Sequence, residues 1–366
     1  MESNWDPDDA WGSDTIVGSG SEIAVAGPED VQDDEFETSD FDASSMSMFG
    51  SVSSSIYRHS YENGRRYHKY RYGTYPIPND ETEQNREDMK HVAILELTRY
   101  IMNYRANPYA PDPGADGYLR GKNYFAPIGD HPRKIIDLGT GTGTWAIEVA
   151  EMFPGAEVVG CDLSPIQPFW VPSNVRFIID DIEDEWAHGD GWDLVHIRQV
   201  FPTTQDPPGV CRQSLRHLKP GGWIEVQDFG GILKCDDDTF QADSLLTQFY
   251  DMTAEALSKR GIRWTIANSM DEVLRQIGFV NIECKKFKVP IGIWPKAKRL
   301  RLVGLYMKSV FGDLIDALAP IVFPVLSKSP QQMREFVANA QEELQTTTAH
   351  IYLDYFFWYA QKPPAD

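Results

Sequence analysis

KIIDLGTGTGTWAIEVAEMFPGAEVVGCD, residues 134–162, is the stretch that decides the fold. Residues 134–138 are a short, mainly apolar run, and Gly139, Gly141 and Gly143 follow it at alternate positions. Glycines allow the sharp turn that leads a strand into a helix. They also leave bare backbone N–H groups at the helix N-terminus, where the helix dipole is positive. The pattern predicts a strand, a glycine turn and a helix that can bind a nucleotide-like ligand.

The residues after the glycines complete a β-α-β unit. One helix face is apolar at the spacing i, i+3, i+4 and i+7, as Ala146, Val149, Ala150 and Phe153. Residues 157–161 then predict a second strand, which ends at Asp162. This position lies about 20 residues beyond the glycines, where a carboxylate can bind both hydroxyls of a ribose.

The spacing of the glycines distinguishes two kinds of nucleotide. The dinucleotide fingerprint G-x-G-x-x-G needs a glycine where this chain has Thr144, and the chain has G-x-G-x-G instead. Asp137 beside the turn would repel a pyrophosphate but suits a ligand that carries a sulfonium and an ammonium group. The run resembles the first motif of class I methyltransferases, which implies S-adenosylmethionine as cofactor. A nicotinamide-dependent oxidoreductase is the disfavoured alternative.

Length and charge exclude several classes of protein. The chain has 366 residues, 42% of them apolar, which suffices for one large domain with appendages. The net charge is −21, but residues 1–57 hold fourteen acidic residues and no Lys or Arg, which leaves −7 for the remainder. Neither part has the dense basic face of a nucleic-acid binder. We therefore expect no direct nucleic-acid partner.

The cysteines and the apolar stretches indicate an intracellular protein, cytoplasmic or nuclear. The four cysteines lack C-x-x-C spacing, so we expect neither a metal site nor a disulfide framework. The N-terminus lacks the basic and apolar regions of a secretory signal. The most apolar stretch near the C-terminus, residues 314–326, is too short to span a bilayer and is interrupted by Asp316, Pro320 and Pro324. We expect no membrane association.

Composition divides the chain into three parts. Residues 1–55 are acidic and rich in Ser and Gly, and we predict a disordered tail. Residues 56–130 contain interleaved Tyr and basic residues, then a helix over about 81–102 that Asn79 or Asp80 can cap; we predict that this part covers the ligand cleft. Residues 131–366 form the main domain, with a helical insertion over about 295–345.

A more specific resemblance lies in the N-terminal part. Residues 62–68, ENGRRYH, are followed by a Tyr-Pro pair and by residues 83–88, EQNRED. This series is similar to the N-terminal signature of fungal LaeA-like methyltransferases, the family of the velvet-associated regulator of secondary metabolism. The similarity continues through most of residues 57–363, including LKPGGWIEVQD at 218–228.

The remaining pattern completes the predicted fold. Further strands are expected at residues 175–179, 192–197, 223–226, 280–289 and 350–359, with helices at 210–218, 243–261 and 269–278. With the resemblance, these predict an α/β class: a doubly wound, seven-stranded, Rossmann-like methyltransferase sheet whose last strand is antiparallel, with an N-terminal helical segment and a C-terminal helical insertion.

Candidate site residues follow from the motif and from the carboxyl ends of the strands, where ligands of such sheets bind. The predicted cofactor-binding residues are Asp137, Gly139, Thr140, Gly141, Gly143, Asp162, Leu163, Asp181, Ile182 and Arg198. The resemblance implies that an acid and an apolar residue after the third strand contact the adenine. Asp180 and Asp181 are both candidates, and we choose Asp181. Arg198 is expected to position cofactor or substrate.

The acceptor side of the site is less defined by sequence. His196 is the catalytic candidate, with His217 as alternative, although a sulfonium is activated enough that no catalytic residue is required. Glu225, Gln227 and Asp228 are second-tier candidates, and Tyr67 and Tyr75 could favour a cationic methyl. Six residues in or beside the insertion could roof a cavity for an apolar or aromatic acceptor: Trp294, Leu305, Tyr306, Phe311, Phe323 and Phe336.

We therefore predict an S-adenosylmethionine-dependent methyltransferase that acts on a small molecule, in fungal secondary metabolite biosynthesis. The alternative is a LaeA-like regulator of secondary metabolism gene expression, which would act in a nuclear complex with a velvet-type protein partner.

Overall fold

The structure is a computed structural model that describes residues 23–27, 59–62, 64–71, 75–106 and 123–365. Its strands are β1 (His59–Glu62), β2 (Arg65–His68), β3 (Lys134–Leu138), β4 (Glu157–Asp162), β5 (Val175–Ile179), β6 (Trp192–Arg198), β7 (Leu218–Lys234), β8 (Val280–Pro290) and β9 (Tyr352–Gln361). Its helices are α1 (Glu81–Ala106), α2 (Thr144–Met152), α3 (Pro207–His217), α4 (Leu245–Ser258), α5 (Met270–Ile277), α6 (Lys298–Val325) and α7 (Pro330–Thr346).

The central sheet has seven strands in the order β5-β4-β3-β6-β7-β9-β8. The pairs from β5 to β7 are parallel, whereas β9 is antiparallel to both β7 and β8. The strand order reverses direction at β3, which places a crevice between β3 and β6 at their carboxyl ends. The predicted fold class is confirmed.

Helices cover both faces of the sheet because alternate strand residues point to opposite sides. Ile136 of β3 packs in a cluster with Val210 of α3 and Leu274 of α5. Its neighbour Ile135 belongs to a cluster on the other face, with Val149 of α2. The doubly wound arrangement therefore follows from continuous apolar strands that are buried on both sides.

A third cluster joins the appended helices to the sheet. It unites α1, α4, α6 and α7 with β8 and β9, through residues such as Leu97, Phe249, Val310, Leu344 and Phe357. The N-terminal helix and the insertion thus form one helical layer over the later strands. This layer provides the walls of the site on the side away from the glycine turn.

The strand β7 is longer than the sequence predicts. A strand at 223–226 was expected, whereas β7 runs over 17 residues from Leu218 to Lys234. Leu218 already pairs with Trp192 of β6, and a register shift absorbs the Pro-Gly-Gly residues inside the strand. The strand also continues beyond residue 226 because β9 pairs with it as far as Lys234.

Part of the predicted acidic tail is paired with the insertion. Val25 forms a β-bridge with Pro295, the Ala26 amide donates to the Trp294 carbonyl at 2.7 Å, and the Lys296 amide donates to the Ala24 carbonyl at 2.5 Å. The expectation of disorder over residues 1–55 is therefore wrong for residues 23–27, whose apolar IAVA run supports a strand. The rest of that segment lies outside the described residues.

The β1–β2 hairpin is anchored to the start of α1. The Arg65 guanidinium donates to both carboxylate oxygens of Asp80, at 2.5 and 2.9 Å. Asp80 also accepts from the Glu83 amide at 3.1 Å, which caps the helix N-terminus. Among the described residues, no helix has the length and apolar character that a bilayer crossing requires, and no cluster of His, Cys, Asp and Glu could hold a metal ion.

Candidate active site

The glycine turn joins β3 to α2 with an unusual backbone. Gly139, Gly141 and Gly143 have φ angles of 71°, 57° and 83°, all in the left-handed region that favours glycine. The amides of Gly139 and Thr140 both donate to the Cys161 carbonyl, at 2.8 and 3.0 Å, which ties the turn to the end of β4. A Cβ on Gly139 would lie 2.3 Å from Val200, whereas a Cβ on Gly141 would meet nothing within 4 Å. Gly141 is therefore the glycine that faces open space.

That open space is a cavity of about 720 Å³ at the carboxyl ends of β3, β4 and β6, which we call the first cavity. One wall comes from the sheet and its loops, and the other from the segment before α1 and the first turns of that helix. The lining residues are Tyr75, Pro78, Asn79, Glu83, Gln84, Glu87, Gly139, Gly141, Asp162, Leu163, Ser164, Ile166, Asp180, Ile182, Arg198, Gln199 and Val200.

Asp162 is the acid at the centre of the sheet-side wall. Its carboxylate accepts from the Gly141 and Ser164 amides, each at 2.8 Å. Burial raises the pKa of this carboxyl to about 6, and the two amide hydrogen bonds only partly oppose that rise. Each carboxylate oxygen offers two acceptor positions, so both can accept a further hydrogen bond from a ligand.

Asp137 and His196 lie beneath the first cavity and do not line it. The Asp137 carboxylate accepts from the Thr140 hydroxyl at 2.6 Å and from His196 Nδ1 at 2.7 Å. The imidazole of His196 is fully buried and stacks on Trp145 with a ring-centroid distance of 3.6 Å. Burial lowers the pKa of His196, so the ring is neutral and its Nδ1–H donates to the carboxylate.

The structure therefore corrects the placement of the candidate bases. His196 is enclosed by Asp137 and Trp145 and lines neither the first cavity nor the pocket beside it. His217 pairs with Asp190 at 2.6 Å, near the amino end of β7 and far along the strand from the site. The sequence around a histidine at the end of a strand or helix does not distinguish a structural histidine from a catalytic one.

The acid after β5 is also placed differently from the expectation. Asp180 lines the first cavity together with Ile182, whereas Asp181 does not. Asp181 accepts from the Glu183 amide at 3.0 Å and lies 3.6 Å from the Arg71 guanidinium of the N-terminal segment. Consecutive side chains of extended chain point to opposite sides, so only one of the two acids can face the cavity.

The other predicted cofactor-binding residues also divide into those that line the first cavity and those that do not. Gly139, Leu163 and Arg198 line the first cavity, and a guanidinium nitrogen of Arg198 donates to His91 Nδ1 at 2.8 Å. Thr140 and Gly143 are turned away: Thr140 bonds to Asp137, and a Cβ on Gly143 would meet Phe177 at 2.4 Å.

A ladder of charged residues on α1 is the main feature that the sequence interpretation missed. Arg86 is paired with Glu83 and with Glu87, and Lys90 donates to Glu87 at 2.6 Å. Burial alone would raise the pKa of Glu87, but Lys90 and Arg86 outweigh it and lower that pKa to about 2. Burial and the nearby Arg86 lower the pKa of Lys90 to about 8. Their spacing of i, i+3, i+4 and i+7 is the signal that could have revealed one charged face.

A second cavity of about 640 Å³ adjoins the first, since Gln199 lines both. Gln199 follows β6 with a left-handed φ of 58°, and its amide donates to the Gln227 carbonyl at 2.8 Å. The other lining residues are Ile77, Arg86, Lys90, Pro202, Thr203, Asp228, Phe229, Gly231, Tyr250, Trp264, Met307, Val310, Phe311, Leu314 and Leu353.

The insertion roofs this second cavity, with one of the six aromatic or apolar residues named from sequence. Phe311 lines it, together with Met307, Val310 and Leu314 of the same helix. Phe323 and Phe336 instead pack on each other with a ring-centroid distance of 5.4 Å. The others are placed elsewhere: Trp294 donates to the Ile351 carbonyl, Tyr306 packs in the helical core and Leu305 is exposed.

Of the second-tier candidates, Glu225 has a structural position. Its carboxylate accepts from the amides of Phe125 and Ala126 at 2.7 and 2.6 Å and from the Gln227 side chain at 2.8 Å. These bonds attach the chain that precedes β3 to the middle of the sheet. Asp228 follows Gln227 on β7 and lines the second cavity.

Comparison with known proteins agrees with this geometry. A methyltransferase-domain family model matches residues 114–284. The methyltransferase pytC of Aspergillus terreus is 35% identical over 329 residues, which cover 88% of this chain and 95% of the relative. The secondary metabolism regulator LAE1 of Cochliobolus heterostrophus is 31% identical over 82% of this chain and 94% of its own length. The protein-methionine methyltransferase laeA of Emericella nidulans is 30% identical, over 87% and 80%.

These relatives each cover more than four fifths of this chain at 30% identity or more. The chain belongs to the LaeA-like family of class I methyltransferases.

Proposed function

We propose that the protein transfers a methyl group from S-adenosylmethionine to a small molecule in fungal secondary metabolism. The observation that carries this proposal is the pair of cavities that meet at Gln199. One lies at the glycine turn and has four acids in its lining, and the other is a mainly apolar cavity under α6. Two adjoining cavities of this kind suit a methyl donor and a methyl acceptor.

The first cavity fits the cofactor. Asp162 can accept hydrogen bonds from both ribose hydroxyls, and the missing side chain of Gly141 leaves room against the backbone. Four acids line the cavity, namely Glu83, Glu87, Asp162 and Asp180, against one Arg. Such an acidic lining favours a cationic ligand and disfavours the pyrophosphate of a dinucleotide.

S-adenosylmethionine supplies a methyl group that is already activated by a sulfonium. The protein's contribution is then to hold an acceptor in line and to exclude water, which for well-oriented groups reduces a barrier by about 7–11 kcal/mol. The apolar side chains of α6 and the aromatic rings of Tyr250 and Trp264 are suited to this, because they enclose the acceptor side.

The second candidate function is that of a regulator in a nuclear protein complex with a velvet-type partner. Two relatives named above carry a regulator's or a protein methyltransferase's name. An exposed aromatic pair, Phe169 and Trp170, is 68% and 94% accessible on the loop that follows Ile166 at the first cavity. An exposed apolar pair beside a site is typical of a protein-binding surface. The mainly apolar second cavity beside the cofactor cavity favours a small-molecule acceptor.

Calorimetric titration tests the cofactor assignment. The protein is titrated with S-adenosylhomocysteine and, in parallel, with NAD. We expect binding of the first alone, since the acidic lining disfavours the pyrophosphate of NAD. Binding of NAD, or no binding of S-adenosylhomocysteine, would refute the proposal.

A separate experiment distinguishes the two functions. A strain that carries Gly141→Val is compared with its parent by metabolite profiling and by pull-down with a tagged chain. Loss of one methylated metabolite, with its unmethylated precursor accumulating, indicates a pathway enzyme. A change across many unrelated metabolites, with a nuclear partner retained in the pull-down, indicates the regulator.

A further inference from the structure

Asp228 is a buried carboxyl group that the site described above does not use. It is 1% exposed and lies on β7, where it lines the second cavity. Neither of its carboxylate oxygens accepts a hydrogen bond of good geometry among the described residues. The backbone N–H groups of Gln199 and Phe201 lie close enough to favour its charged form, and the Gln199 amide already donates to the Gln227 carbonyl. A buried polar atom without a partner costs about 1–3 kcal/mol, so its presence calls for a ligand that satisfies it.

The other charged groups of this cavity are already paired. Arg86 and Lys90 of α1 are bound to the acids of the same helix. The titratable groups that face Asp228 from other elements are Tyr250 of α4 and Tyr355 of β9, and burial raises the pKa of both phenols. Burial also raises the pKa of Asp228 well above its ordinary value, while Lys90 opposes the rise.

A second unpartnered group lines the same cavity. The indole Nε1–H of Trp264 has no hydrogen-bond acceptor within the part of the chain that the structure describes. The cavity thus presents one acceptor group, Asp228, and one donor group, Trp264, among mainly apolar neighbours. A complementary ligand carries a hydrogen-bond donor and a hydrogen-bond acceptor on an apolar body.

We propose that the methyl acceptor is an apolar, aromatic-sized molecule whose hydroxyl group donates to Asp228, and that Asp228 takes the hydroxyl proton during methyl transfer. This inference rests on the proposed function. In the step, the hydroxyl oxygen forms a bond to the methyl carbon while the carbon–sulfur bond breaks and its electron pair stays on sulfur. The hydroxyl proton moves to a carboxylate oxygen of Asp228 and leaves later to water.

A hydroxyl is favoured over an amine for a chemical reason. A neutral amine attacks with its lone pair and needs no base, whereas a hydroxyl acceptor must lose its proton. A carboxylate with a raised pKa is a stronger base than an ordinary one, and Asp228 is 1% exposed among mainly apolar neighbours. The negative charge of Asp228 and the positive charge of the cofactor both disappear in the reaction, which low dielectric surroundings favour.

The test compares the full-length protein with Asp228→Asn and with a control, Asp316→Asn, on the exposed side of α6. The acceptors are 7-hydroxycoumarin, which carries a hydroxyl and a carbonyl at opposite ends, and 7-aminocoumarin, which has an amine in place of the hydroxyl. Methylated products are measured by mass spectrometry at several pH values. Coumarin binding is measured by fluorescence in the presence of S-adenosylhomocysteine.

We expect the parent protein and the control to methylate 7-hydroxycoumarin, with kcat/KM rising with pH through an acid limb. Asp228→Asn should reduce kcat/KM by about 100-fold or more, the contribution typical of a general base, and should remove the acid limb. It should weaken 7-hydroxycoumarin binding by about tenfold, as expected for a hydrogen bond to a charged group. The affinity for S-adenosylhomocysteine should stay within about twofold.

Three results would overturn the proposal. The first is methylation of 7-aminocoumarin but not of 7-hydroxycoumarin, and the second is methylation of neither while S-adenosylhomocysteine still binds. The third is a lower melting temperature for Asp228→Asn with an unchanged pH profile, because that would indicate a structural carboxyl. Failure of the parent protein to bind S-adenosylhomocysteine would instead refute the proposed function itself.

Discussion

Replacing Asp162 with Asn should weaken cofactor binding and should remove the pH dependence of the affinity. In the parent protein the pKa of Asp162 is raised to about 6, so the carboxylate that accepts ribose hydroxyls is fully formed only above that pH. Below it, affinity should fall about tenfold for each pH unit, because one proton must be released before the ligand binds. At pH 5 we therefore expect affinity about tenfold lower than at pH 8.

The stability of the folded protein should depend on the protonation of Asp162 in the opposite sense, because it should fall as pH rises. The folded-state pKa of about 6 lies above the ordinary value of 3.8, so the protonated form is the one that the fold favours. Its contribution is present below pH 3.8 and is lost as pH rises to about 6. A difference of about two pKa units corresponds to at most about 3 kcal/mol. The cleft therefore holds an acid at some cost in stability in order to bind a ligand.

The measurement is calorimetric titration with S-adenosylhomocysteine at pH 5, 6, 7 and 8. Asp162→Asn should bind at least about tenfold more weakly at pH 8, because a hydrogen bond to a charged acceptor is lost, and its affinity should not change with pH. The exposed Asp130→Asn serves as control and should behave like the parent protein. An affinity of the parent that is constant from pH 5 to 8, or an Asn variant of equal affinity, would show that this carboxylate does not bind the ligand.

Three further predictions concern other parts of the structure. Gly141→Val, at φ 57° and facing the open cavity, should abolish S-adenosylhomocysteine binding in calorimetry while the far-ultraviolet spectrum stays unchanged. His196→Ala should lower the free energy of unfolding in urea by about 2–4 kcal/mol, because it leaves a cavity and removes the partner of one oxygen of the buried Asp137 carboxylate. Deletion of residues 1–28 should speed hydrogen exchange of the Lys296 amide, which donates to residue 24.

Two of these predictions have a matched control variant, and the third has a stated outcome that would contradict it. Gly155→Val tests a glycine whose surroundings are equally open but which lies outside the site, and it should leave binding unchanged. For His196→Ala, an unchanged unfolding free energy would contradict the structural role of the imidazole. Deletion of residues 1–22 alone keeps the pairing with the insertion, so it should leave exchange at Lys296 as in the full chain.

The local pattern was sufficient to predict the β-α-β unit and the succession of the main-sheet strands along the chain. The strand from Lys134 to Leu138, the glycine turn and the second strand that ends at Asp162 were predicted correctly, because each depends on neighbours within a turn or a strand. The expected helices and strands coincide with observed ones, and the main differences lie at ends such as that of β7, where pairing with β9 extends the strand.

The sequence by itself determined the fold class, the glycine turn and the family, since these rest on short-range periodicity and on motifs. Only the tertiary structure decided which side chains reach the cavities. It selected Asp180 over Asp181, enclosed His196 against Asp137 and Trp145, and brought Asp228 under a helix about 80 residues later in the chain. The physical reason is that exposure to a cavity depends on packing between elements that are distant in sequence, and a local pattern carries no information about that packing.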